Sequence, residues 1–232
     1  MRVVLLKRKL TSFQIIIIGF SGVIIFGTFL LMLPFSSRSG LATPFFEALF
    51  TSTSAVCVTG LIIHDTATYW SVFGQIVILL LIQIGGMGVI TVAASFAMIS
   101  GRKISLMQRS TMQEAISAPK VGGIVRLTGF IVRGTLVMEL LCAAVMAPVF
   151  CRDFGKKGLW MALFHSVSAF CNAGFDLLGV RTPFSSLTSY AANPVINFTI
   201  MFLIVVGGIG FLTWMIFGQI DCICANTGCR AR

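Results

Sequence analysis

The chain has 232 residues, 57% of them hydrophobic and only 10% charged, where a soluble domain carries about a quarter charged residues. That balance excludes an ordinary soluble protein and predicts an integral membrane protein. The formal net charge of +10 invites a nucleic-acid reading. The basic residues flank apolar runs instead of covering a face, however, so no nucleic-acid partner is expected.

In chain order, residues 1–12 carry Arg2, Lys7, Arg8 and Lys9 and read as a cytoplasmic amino terminus. The apolar run 13–35, closed by Pro34, exceeds a signal-peptide core and has no small-residue cleavage site. It is expected to remain as a membrane helix. A bilayer core of about 30 Å takes roughly twenty residues at 1.5 Å each, and four runs qualify: 13–35, 69–99, 125–150 and 194–217. Two apolar pieces, 44–53 and 159–168, are too short to cross and suit re-entrant half-helices. Arg102, Lys103, Arg109 and Lys120 make the linker 100–124 cytoplasmic, with Arg126 and Arg133 close behind it. Both short pieces then dip in from the outside of a cell membrane crossed several times.

The chain repeats itself. ALFTSTSAVCVTGL (48–61) and ALFHSVSAFCNAGF (162–175) lie 114 residues apart and share Ala, Leu, Phe, Ser, Ser, Ala, Cys and Gly in register. LIQIGGMGVIT (81–91) and LIVVGGIGFLT (203–213) match 122 residues apart, so the second copy has a longer connection after its loop. The expected fold is therefore all-α and membrane-embedded, with two parallel helix–loop–helix repeats at 13–99 and 125–217 and an atypical tail at 218–232. With two crossings per repeat the copies share one orientation, unlike inverted transporter repeats.

Irregular backbone at membrane depth is tolerated only where it is buried or lines a water-filled cavity. Val56, Cys57, Val58, Thr59 and Gly60 are such a loop, and their carbonyls suit a dehydrated monovalent cation. Gly60 and Gly174 mark backbone shapes costly for other residues, or close packing. The half-helices point their negative ends at the loops, which favours a cation. No acid lies in either loop, which argues against a divalent ion, and no other metal or cofactor is expected.

Other residues have two readings each. The triplets Gly85, Gly86, Gly88 and Gly207, Gly208, Gly210 serve close helix packing in preference to gating. Neither is a nucleotide fingerprint, since no strand precedes it. Glu139, an acid inside the third span, is either functional or bonded to a neighbouring helix. Asp65, just after the first loop, either attracts cations to an outer mouth or caps the next helix, and Asp176, at a similar distance after the second loop, supports the mouth reading. His64 and His165 read as satisfied or solvated side chains. Cys222, Cys224 and Cys229 are one ligand short of a zinc set, and the tail reads as a truncation or frame-shift product, with reactive thiols as the alternative.

The segments TSTSAVCVTGL, HDTATYWSVFGQ, QIGGMGVIT, ALFHSVSAFCNAGFD and NPVINFTIMFLIVVGGIGF, in this order, resemble the potassium-uptake family of bacterial TrkH and KtrB. The short lead before the first span is the more KtrB-like feature. The resemblance implies a pore of four helix–loop–helix repeats with one filter loop each. It assigns Val56 to Gly60 to the first filter segment and Phe170, Cys171, Asn172, Ala173 and Gly174 to the second. It also implies dimers, a cytosolic nucleotide-binding regulatory subunit of KtrA or TrkA type, and K+ or possibly Na+ as cargo. Only two repeats are present here, so this chain alone is not expected to conduct. The rival reading is a non-conducting half-length membrane protein that assembles with complementary pore subunits. A membrane enzyme is disfavoured, because the spans hold no acid–base pair.

Overall fold

The computed structural model describes residues 11–88, 91–92 and 124–209. Seven α-helices account for most of them: α1 Ser12–Met32, α2 Phe45–Val56, α3 Thr66–Tyr69, α4 Val72–Met87, α5 Ile124–Phe154, α6 Lys157–Phe170 and α7 Pro194–Ile209. Three 3-10 turns, Pro34–Ser36, Leu178–Val180 and Ser186–Tyr190, punctuate the connections. The described residues contain no β-strand, only an isolated antiparallel bridge between Ser37 and Trp70.

Local chemistry sets the helix ends. Thr11 opens α1 with a capping box, accepting from the Gln14 amide at 3.3 Å while its own amide donates to Gln14 Oε1 at 3.1 Å. The second span starts at Val72 and not at residue 69. Ser71 caps it by accepting from the Gly74 amide at 3.2 Å. Upstream, Trp70 is extended, and the Ser71 amide donates to the Ser36 carbonyl at 2.9 Å. Gly88, with φ of +82°, ends α4. The half-helices run longer than their apolar cores: α2 ends at Val56 and α6 at Phe170. Val56 and Phe170 are therefore helical and not loop residues. The linker 100–123, residues 93–99, Gly210 and the tail with its cysteine cluster lie outside the described residues.

Among the described residues, two helices are long and apolar enough to cross a membrane, over Phe13–Met32 and Thr128–Phe154, with mean hydropathies of 2.6 and 1.9. The shorter apolar helices α4 and α7 have 16 residues each, about 24 Å at 1.5 Å per residue. Ile17, Ile25, Phe26 and Phe29 on α1, Leu140 and Val145 on α5, and Phe198 and Phe202 on α7 are exposed. Thr28, Ser52, Gln75, Glu139, Ser166 and Ser168 are buried. Apolar side chains outside and polar ones inside suit a lipid solvent, in which polar groups need partners within the protein.

One core joins the halves, with Trp70, Ile78, Ile82, Met146, Phe150 and Phe164 fully buried in it. Helices α1, α2 and α4 pack together, as do α5, α6 and α7, and α4 also packs on α6. Trp160 Nε1 donates to Gln75 Oε1 at 2.9 Å across the junction, while Gln75 Nε2 donates to the Trp70 carbonyl at 3.2 Å.

Candidate functional site

The two loops share one backbone design. At the end of α2, the amides of Cys57, Val58 and Thr59 donate to the carbonyls of Thr53, Ala55 and Ser54 at 2.8, 3.3 and 2.9 Å. At the end of α6, the amides of Cys171, Asn172 and Ala173 donate to Val167, Ala169 and Ser168 at 3.0, 3.0 and 2.7 Å. Every donor and acceptor is displaced by the same 114 residues. The pattern is a Schellman cap, whose left-handed residue is usually glycine and sometimes asparagine. Here those residues are Val58 and Asn172, with φ of 57° and 58°. Two positions on, Gly60 and Gly174 also match, with φ of 74° and 75°.

Because the caps turn these amides back into their helices, the loops end the half-helices abruptly. They also meet. A Cβ at Gly60 would collide with the Ala173 carbonyl oxygen, and one at Gly174 would lie 3.7 Å from Gly60 Cα. Cys57, Thr59, Asn172 and Gly174 are exposed, whereas Ala173 is buried.

Hydroxyls behind the loops repeat as well. Ser52 donates to the Ile24 carbonyl of α1 at 2.8 Å, and its counterpart Ser166 donates to the Glu139 carbonyl of α5 at 2.7 Å. Thr51 Oγ1 and its counterpart His165 Nδ1 each bond the carbonyl four residues back, Glu47 at 2.9 Å and Met161 at 2.7 Å. Ser54 accepts from Thr59 Oγ1 at 2.9 Å, and Ser168 donates to the Phe175 carbonyl at 2.6 Å. The serines were legible in the duplicated motif, where they belong to the identical positions. Their use as loop anchors was not.

The glycine triplets sit against the roots of the loops. A Cβ at Gly85 would strike the Val56 carbonyl oxygen, and one at Gly207 would strike that of Phe170. Gly86 faces the Cys171 side chain, and a Cβ on Gly208 would meet Asn172 Nδ2 at 3.8 Å. Glu139 is buried on α5 and accepts from Gln83 Nε2 on α4, at 2.9 and 3.2 Å to its two oxygens. Gln83 was missed from the sequence. Its signal was a departure from the repeat, since Val205 occupies the matched place.

Asp65 caps α3, accepting from the Thr68 amide at 2.9 Å and Thr68 Oγ1 at 2.7 Å, and its other oxygen takes the Phe184 amide at 3.2 Å. Asp176 accepts from the Leu178 amide at 3.0 Å. Both carboxylates are buried, at 4% and 7% exposure; Asp65 makes the capping contacts of its second reading, whereas Asp176 closes a turn onto the amide two residues on. His64 Nε2 lies 2.6 Å from Glu47 Oε2 and its ring stacks on Tyr69. His165 is buried, with Nε2 taking the Leu177 amide at 3.4 Å. A cavity of about 200 Å³ beside the second loop is lined by His165, Ser168, Asn172, Asp176, Leu187 and Ile204, among others. Farther out, Tyr190 donates to Asp153, and burial together with that bond pushes its hydroxyl up to about 12.

The family model for TrkH, described as a cation transport protein, matches residues 7–225. The chain belongs to the TrkH family. It is 42% identical over 209 residues to the potassium/sodium uptake protein NtpJ of Enterococcus hirae, covering 90% of this chain and 45% of that protein. It is 43% identical over 204 residues to the Ktr system potassium uptake protein B of Bacillus subtilis, covering 88% and 44%. With the protein of that name from Vibrio alginolyticus the identity is 37% over 206 residues, covering 88% and 44%. The chain spans about half the length of the curated relatives it matches. TrkH proteins are membrane transporters and not enzymes, and the expected KtrB-like resemblance holds over nearly the whole chain.

Proposed function

We propose that this TrkH-family chain supplies two filter loops to a potassium uptake transporter of the cell membrane. The observation that carries the reading is the shared backbone of the loops, with matched left-handed residues at Val58 and Asn172 and at Gly60 and Gly174. A repeated backbone shape at the negative ends of two half-helices is what a carbonyl-coordinated cation requires. Cys57 to Gly60 and Cys171 to Gly174 would line the ion path, while Val56 and Phe170, named with them from the sequence, turn their carbonyls onto Gly85 and Gly207 and anchor the loop roots. K+ is the proposed cargo, with Na+ as the second ion, moving down its electrochemical gradient without covalent chemistry.

Two helix–loop–helix repeats of parallel orientation, 13–99 and 125–217, fit this reading, with both loops entering from outside and the amino terminus in the cytoplasm. Two loops make half of a four-sided ring, so two further loops complete the pore. A dimeric transporter with a cytosolic nucleotide-binding regulatory subunit is the proposed assembly. Relatives carrying the name Ktr system support a multicomponent arrangement.

The test is Gly60→Ala and Gly174→Ala in the intact transporter carrying this segment, produced in cells lacking their own potassium uptake. An added methyl must either shift the Ala173 backbone or strain a positive φ. Overpacking of about 1–3 kcal/mol corresponds to loss of about tenfold or more in potassium uptake at unchanged membrane abundance. Normal uptake by both variants would sink the reading.

A further inference from the structure

Glu139 stands where three helices of the two halves meet. Through its carboxylate it holds Gln83 of α4, in the first half, at 2.9 and 3.2 Å. Through its main-chain carbonyl it holds Ser166 of α6, in the second half, at 2.7 Å. Gln83 lies just before Gly85 and Gly86, which seat the carbonyl of Val56 and the side chain of Cys171. A slide or roll of α4 would therefore disturb the roots of both loops together. The carboxylate–amide pair resists it at the loop end of α4, while the Trp160–Gln75 bond holds the other end of that helix to α6.

The first half shows what Glu139 adds. There Ser52 makes the matching bond to α1, but the carbonyl belongs to Ile24, whose side chain is apolar. In that half the serine-to-carbonyl bond and helix packing hold the half-helix against its outer helix with no ionisable side chain at the matched place. The acid in the second half does something further. Stability does not account for it, because burying a carboxyl group carries a desolvation cost that a hydrogen bond to a neutral amide offsets only in part. An ionisable side chain within a span is costly, and such residues usually serve function.

We infer that Glu139 is a positioning residue for ion discrimination, acting through Gln83 to fix α4 against both loops. This inference rests on the filter reading above. It places a control of selectivity outside the loops, on the face of α5 that meets α4.

The test uses the intact transporter carrying this segment, with K+ and Na+ uptake measured separately against membrane abundance. Glu139→Ala is expected to reduce the ratio of K+ to Na+ uptake by about tenfold, the scale of a lost bond to a charged group. The exchange variant, Gln83→Glu with Glu139→Gln, keeps a carboxylate facing an amide with the partners reversed. It is expected to recover most of the ratio. If Glu139→Ala reaches the membrane with an unchanged ratio, the inference is overturned. Where Glu139→Ala fails to accumulate, the exchange variant decides: restored abundance with restored ratio supports positioning, and any other result overturns it. Gly60→Ala run in parallel separates the two claims. Loss of uptake there beside an unchanged ratio in the Glu139 variants rejects the positioning role alone, while normal uptake in Gly60→Ala rejects the filter reading itself.

Discussion

Val58 carries an unusual burden for a single residue. A β-branched side chain at φ of 57° occupies a region that costs an ordinary residue about 1–2 kcal/mol. The matched position holds Asn172, which tolerates that conformation better. Strain of this kind persists where surrounding structure enforces it, and it gathers at functional sites. Here the enforcement is the pair of amide bonds from Val58 and Thr59 back into α2. Val58→Gly is therefore expected to relieve strain while giving up a half-buried side chain, for a net gain of at most about 1 kcal/mol. A thermal melt in detergent reads this directly. A fall of several degrees would mean that the valine side chain, and not the backbone, is what the position needs.

At the scale of elements, the glycines divide into two classes that sequence could not separate. Gly85 and Gly207 have a backbone carbonyl where a methyl would go, whereas Gly129 and Gly134 on α5 have nothing within 4 Å. Gly85→Ala and Gly207→Ala are expected to destabilise by about 1–3 kcal/mol through overpacking. Gly134→Ala should be neutral or stabilise by up to about 1 kcal/mol through helix propensity. Melting temperatures of the three variants in one detergent test the contrast, and equal shifts would refute it. The helical make-up and the two long apolar helices were legible because hydrophobic run length survives in one dimension, and the duplicated motif pointed to two loops of one backbone shape. The starts were less so. An apolar reading cannot see that Trp70 is extended to pair with Ser37, so the second span begins at the Ser71 cap. The half-helix ends were also misplaced, because the Schellman cap is written in backbone bonds and Val58 is a poor advertisement for it.

Across the whole molecule, the halves are joined by few but well-buried polar links. Asp65 is one of them, binding its own α3 and the Phe184 amide 119 residues away. Gly179 lies so close to this carboxylate that a Cβ would overlap it. Asp65→Ala removes a cap worth about 1 kcal/mol and the bond to the Phe184 amide, worth about 1 kcal/mol more, for a total of about 2 kcal/mol. Its effect should appear as a lower melting temperature. The sequence offered this role only as one of two, since spacing shows which residues come after Asp65 and not which ones fold over it. Glu139 was open in the same way until Gln83 supplied its partner.

The loop shape has a consequence for how such a protein can change over time. Six amide-to-carbonyl bonds and two glycines specify the same turn twice, around side chains as different as valine and asparagine. A contour held by main-chain atoms is inherited whatever side chain decorates it. The side chains of residues 57–59 and 171–173 can therefore drift without redrawing the turn. The freedom ends at the glycines and at the serines that moor each turn.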